Sequence, residues 1–117
     1  MSIIGRARAA EAPKFIPAEI SLFQEGDGYK FQNDQGHPYY VYDKDTPTKS
    51  NCTDKCLEKW SPVRARANAK PEAEWTLVDR GNGYLQWAYK GKPVYQSIEL
   101  VMGQKLVVPE GWHELKP

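Results

Sequence analysis

The sequence predicts a mainly β domain made by internal duplication: two three-stranded antiparallel meanders, packed as a sandwich or partly open barrel, with one short helix between them. Three observations predict it. Residues 18–40 align without a gap to residues 73–95. Glycine-bearing turn dipeptides recur at equivalent places in both copies. Cys52, Cys56 and Trp60 fall at helical spacing in the segment between the copies.

The aligned stretches are AEISLFQEGDGYKFQNDQGHPYY and AEWTLVDRGNGYLQWAYKGKPVY, related by a shift of 55 positions. Nine positions are identical: Ala18/Ala73, Glu19/Glu74, Leu22/Leu77, Gly26/Gly81, Gly28/Gly83, Tyr29/Tyr84, Gly36/Gly91, Pro38/Pro93 and Tyr40/Tyr95. Composition alone would give roughly one or two. Asp27-Gly28 and Asn82-Gly83 fit two-residue type I′ hairpin turns, and Gln35-Gly36 and Lys90-Gly91 mark the second turn of each copy. The aromatic and β-branched runs between them place strands near 19–25, 29–34 and 38–43 in copy one, and near 74–80, 84–89 and 93–98 in copy two. In the linker, Ser50 or Asn51 reads as the N-cap of a helix that carries Cys52, Cys56 and Trp60 and stops at Ser61-Pro62. KLVV, residues 105–108, reads as a further strand.

At 117 residues the chain is one domain, 16–117, after a leader of residues 1–15. Within it lie repeat one (18–45), the cysteine linker (46–72), repeat two (73–100) and a C-terminal strand and tail (101–117). Sixteen basic against 15 acidic residues argue against nucleic acid as a partner. Arg64-Ala65-Arg66 is too short for a phosphate-binding patch, and no apolar run approaches a membrane span. The opening lacks the apolar core of a signal peptide and a lipobox, while AAEAPKFIP has the composition of a mature exported chain.

The chemistry-bearing candidates are few. Cys52 and Cys56 at i and i+4 admit three readings: a structural disulfide, a soft-metal site for Cu(I), or a redox-active dithiol. The CxxC and CxxCH spacings are absent. His37 and His113 sit in no HxH or HExxH pattern, and nothing in the spacing joins either to Met102. Asp43, Asp45 and Asp54 lack the Gly and terminal Glu of an EF-hand loop. No GxSxG is present and no His stands near a Ser or Cys with a supporting acid, so no enzyme class is supported. The copies differ on the second strand, where Lys30, Gln32 and Asp34 of copy one correspond to Leu85, Trp87 and Tyr89 of copy two. These three either pack in the core, as a small domain with four tryptophans favours, or form an exposed aromatic binding face.

Together these residues resemble a family of bacterial secreted proteins and predicted lipoproteins with a Tyr-x-(Phe/Trp/Tyr)-x-x-Asp motif, a secreted repeat of unknown function. The motif stands as Tyr40-Val41-Tyr42-Asp43-Lys44-Asp45. A Ser-x-Cys-x₃-Cys-x₃-Trp element matches Ser50, Cys52, Cys56 and Trp60, and Gln86-Trp87-Ala88-Tyr89-Lys90-Gly91-Lys92-Pro93-Val94-Tyr95 is similar to a second element. Repeat two departs from the motif, with Ser97 and Leu100 where its aromatic and its Asp would fall. The resemblance implies export to the periplasm, envelope or medium and supplies no activity. The expectation is a non-catalytic binding or structural module without a cofactor, whose partner is an envelope protein or small ligand. The alternative is an accessory in copper handling or electron transfer through Cys52 and Cys56.

Overall fold

A computed structural model describes residues 12–117 and shows eight strands in two sheets. The first sheet is the hairpin β1 (Ser21–Glu25) and β2 (Gly28–Gln32). The second contains β3 (Tyr40–Tyr42), β4 (Trp60–Pro62), β5 (Trp75–Asp79), β6 (Leu85–Tyr89), β7 (Lys92–Ser97) and β8 (Trp112–Glu114). Its order is β5-β6-β7-β3-β8, with β4 also on β7. The arrangement is sandwich-like, and the sheet does not close into a barrel.

Copy two forms the expected meander β5-β6-β7, but copy one does not form its own. Its third strand leaves β2 after a single bridge, Gln32↔Pro38, and pairs with β7 of copy two. Tyr40 is opposite Tyr95 and Val41 is opposite Val94 in this ladder. Since Tyr95 is the repeat counterpart of Tyr40, a pseudo-twofold axis passes between the two tyrosines. The third strands of the two copies are thus the centre of one shared sheet.

The turns explain part of the difference. In copy one, Asn33 Oδ1 accepts from the backbone N–H of Gln35 and of His37, both at 2.9 Å. This side-chain bracket stabilises a wider loop that ends at Gly36, φ +83°. In copy two, Lys90 (φ +50°) and Gly91 (φ +79°) form the tight two-residue turn that keeps β6 and β7 together. The first hairpin turn centres on Gly26-Asp27 rather than Asp27-Gly28, with the positive φ at Gly26. Its twin widens to a loop from Arg80 to Tyr84.

That widening moves the register by one residue. Leu22 faces Phe31 in copy one, so an identical twin would set Leu77 opposite Gln86; Leu77 is opposite Trp87 instead. A one-residue slip exchanges the faces of a strand. Copy one therefore buries Phe31, while copy two buries Trp87 and Tyr89 on the matching side. Phe31 meets Trp75 and Tyr89 edge-on at 5.5 and 5.2 Å, which docks the β1-β2 hairpin onto β5 and β6. Phe15 packs against this core at 6.3 Å from Trp87, whereas residues 1–11 of the expected leader lie outside the described residues.

The opposite face of the large sheet carries a second core of Tyr40, Cys52, Trp60, Tyr95 and Trp112. Trp60 and Trp112 stack at 3.9 Å and 6°, and Tyr42 extends the stack at 4.5 Å and 15°. Trp60 reaches it on strand β4, not on a helix. The expected α-helix over the cysteine segment is a 3₁₀ turn, Asp54–Glu58, preceded by Thr53 in the N-cap position with no side-chain cap. Asp54 has φ +52°, which an α-helix cannot contain. After it the chain wedges between β6 and β7: Val63 N–H donates to Val94 O and Trp87 N–H to Val63 O.

The α-helix α1 stands instead at Ile98–Val101, capped by the Ser97 hydroxyl, which accepts from Leu100 N–H. This accounts for Ser97 and Leu100 departing from the motif. The strand expected at 105–108 does not form; Val107 and Val108 are exposed, and β8 occupies the free edge of β3.

Candidate functional site at the end of strand β3

The motif Tyr40-x-Tyr42-x-x-Asp45 begins on β3 and ends in the loop that follows it. Alternation sends Tyr40 into the second core, while Tyr42 is the half-buried end of the tryptophan stack. Asp43 N–H donates to Gly111 O at 2.8 Å, which continues the β3-β8 ladder by one bond. Asp45 N–H then donates to Tyr42 O, and the chain turns away from the sheet.

Asp45 is held on both oxygens. Oδ1 accepts from Asn51 N–H at 2.6 Å, and Oδ2 accepts the Tyr95 hydroxyl at 2.6 Å. Asn51 Nδ2 donates to Lys44 O, which closes the loop on itself. The one phenol hydrogen of Tyr95 is committed to the bond with Asp45, so the buried Ser50 hydroxyl donates to the phenol oxygen. Ser50 in turn accepts from Cys52 N–H at 3.4 Å. The result is one relay from Cys52 through Ser50 and Tyr95 to Asp45. Burial pushes the Tyr95 phenol up to about 12, and the Asp45 hydrogen bond to the neutral phenol adds to this. Burial also raises the Asp45 carboxyl above 3.8, opposed by the bonds from Tyr95 and Asn51 and by the charge of Arg80.

Arg80 and Gln86 complete the lock. The fully buried Gln86 donates to Val94 O at 2.9 Å and accepts from Arg80 Nη1 at 2.8 Å. Arg80 Nη2 donates to Cys52 O at 2.9 Å. Cys52 and Cys56 form the disulfide, with Cα atoms 5.2 Å apart, and Cys52 is fully buried against Trp60. In the bridged state the pair presents no thiolate to a Cu(I) ion, and the oxidised form of a redox-active dithiol is this same bridge.

Beside the lock lies a cleft of about 260 Å³ lined by Tyr42, Asp43, Tyr89, Lys90, Lys92 and His113, among others. His113 Nε2 and Asp43 Oδ2 are 2.9 Å apart across its rim, both largely exposed. The structure thus brings Tyr42, Asp45 and Tyr89 to one place. Leu85 and Trp87 are elsewhere: Trp87 is buried beneath Phe15 and donates to Glu19, and Leu85 is half-buried, so the three form no exposed platform. His37 is half-buried and Met102 exposed, in no shared site with His113. Among the described residues no group of three His, Cys, Asp or Glu side chains could hold a metal ion.

The expected helix cap, Ser50 or Asn51, instead ties the Asp45 loop, and the expectation did not include Gln86 and Arg80 as its polar partners. The departure of Gln86 from Phe31 at the same repeat position was the available signal. Arg80 gave none, because its partners are 6 and 28 residues distant.

Residues 21–64 match a family described as a secreted repeat of unknown function, which bears out the resemblance and supports an exported protein. No curated protein and no solved structure matches the chain. No helix among the described residues is long and apolar enough to cross a membrane.

Proposed function

We propose that this is a non-catalytic module of the periplasm or cell envelope that holds a small ligand or a partner's side chain in the Tyr42 cleft. One observation carries the reading. The motif carboxylate Asp45 is fully engaged by Tyr95 and Asn51, so it acts as a lock between the repeats rather than as a free acid or base. What the lock leaves beside it is a cleft whose wall, Tyr42, is the outer member of a rigid aromatic stack. Pre-organised walls reduce the entropy lost on binding.

The stack also provides the readout. Tyr42 lies flat on Trp112, so a ligand in the cleft changes tryptophan fluorescence. A panel of sugars, short peptides and small organic acids should contain a member that shifts the emission of the wild type and fails to shift that of Tyr42→Ala. Silence from the whole panel, or an unchanged response in the folded Tyr42→Ala variant, would remove the cleft from consideration.

A further inference from the structure

We propose that a second groove, on the far side of the lock, binds a tetrahedral oxyanion carried on a small hydroxylated body: a phosphate or sulfate ester of a sugar-like molecule. The groove has a volume of about 630 Å³ and is lined by Thr48, Lys49, Thr53, Asp79 and Arg80 among its walls.

Arg80 is the central observation. Its guanidinium is pinned by two neutral acceptors, Gln86 Oε1 at 2.8 Å and Cys52 O at 2.9 Å. They fix the plane of the fork without neutralising it. Among the described residues no carboxylate forms an ion pair with Arg80. Asp45, whose carboxyl feels the Arg80 charge, is already engaged by Tyr95 and Asn51. Two of five guanidinium N–H groups are used, and the buried Nε–H has no acceptor at all. A half-buried, oriented, unpaired guanidinium has the geometry that takes up phosphate or sulfate oxygens.

The other walls fit the same chemistry. Lys49 adds an exposed ammonium that forms no ion pair among the described residues, and Thr48 and Thr53 add hydroxyls. The volume leaves room for an organic body beside the anion. Asp79 works against an anion; its Oδ1 accepts from Gly81 N–H at 2.8 Å, and its charge faces the groove. It therefore serves as a lever in the test.

The full chain, labelled for amide NMR at low ionic strength, should be titrated with glucose 6-phosphate, a sulfated glucose, inorganic phosphate, inorganic sulfate and glucose. Shifts confined to residues 48–53 and 79–81 are expected with the esters, weaker ones with the inorganic ions, and none with glucose. The stronger ester identifies the source. Lys49→Gln should weaken binding roughly fivefold, the scale of one exposed charge contact, and Asp79→Asn should tighten it by a similar factor. Arg80→Lys should abolish it, but that change also releases Cys52 O and Gln86, so the folded Lys49→Gln variant decides. No ester shifts, shifts spread over lysines around the whole surface, or equal affinity in Lys49→Gln would overturn the proposal. The Tyr42 cleft is read separately through Trp112, so either site can fail without the other.

Discussion

Tyr40 and Tyr95 occupy the same position in the two repeats, and they are also each other's partners across the β3-β7 ladder. The duplication is therefore joined at its own symmetry axis. The symmetry stops at the phenols. Tyr95 donates a hydrogen bond to Asp45, while the residue 55 positions beyond Asp45 is Leu100, at work in α1. Repeat one supplies the lock and repeat two supplies the residue that is locked.

Asp45 and Tyr95 should therefore be energetically coupled. Tyr95→Phe leaves Asp45 Oδ2 and Ser50 without their partner and should cost about 1–3 kcal/mol. Asp45→Asn should cost a similar amount, and the double variant should lose less than the sum by about 1 kcal/mol or more. Urea unfolding of the four proteins measures this cycle. Strict additivity would mean that the hydrogen bond contributes nothing.

Alkaline pH should release the lock. The Tyr95 phenol titrates at about 12 when folded against 10.0 when unfolded. A folded value above the unfolded one gives stability that is complete below pH 10 and lost as pH rises toward 12. This interval corresponds to about 3 kcal/mol. Burial raises Tyr39 and Tyr40 as well, so Tyr95→Phe should remove only part of the loss. Unfolding free energies measured across this range, for both proteins, provide the check.

Asp45 should show its dependence in acid. Its carboxyl is raised above 3.8 mainly by burial, so its contribution is largest below that value and declines as pH rises through the folded value. The destabilisation caused by Asp45→Asn should therefore grow as the solution is acidified from neutrality. A destabilisation that shrinks on acidification would show that hydrogen bonding, not burial, sets the charge state.

Opening the disulfide should loosen the second core. The loop from Cys52 to Cys56 is short, so chain entropy accounts for about 2 kcal/mol. Cys56→Ser additionally leaves a free thiol in the buried position of Cys52. Thermal unfolding with and without reductant should show the wild type falling to nearly the level of Cys56→Ser, and an indifference to reductant would contradict the closed bridge.

Gln86→Leu should be among the most damaging single changes, although Phe31 holds the matching position in repeat one. It leaves the buried Val94 O without its donor and Arg80 Nη1 without its acceptor, at about 2–4 kcal/mol. Calorimetry on this variant and on Phe31→Leu would separate the polar role from simple packing.

The sequence disclosed what is local. Asp27-Gly28 announced the first hairpin with its turn one residue late, Lys90-Gly91 announced the tight turn of repeat two, and the nine shared residues announced a repeat. Pairing between the copies was hidden, because the competition between β2 and β7 for β3 depends on the Asn33 bracket and on the wedge of residues 60–65. The cysteine segment misled for a related reason. Spacing of four residues suits an α-helix, but the left-handed Asp54 and the pull of Trp60 into the β4 ladder select a 3₁₀ turn. Tyr42 and Asp45 stood in the motif, but the stacking partner of Tyr42 was not legible, since Trp112 is 70 residues away.

The placement of β8 sets a timetable for folding. Trp112 and its neighbours complete the edge of β3, a strand formed by residues 40–42. Contacts of such long range raise the entropic cost of reaching the native sheet. During synthesis β3 can gain its outer neighbour only once residues 112–114 have emerged. Until then Trp60 lacks its stacking partner, and the second core stays incomplete on that side.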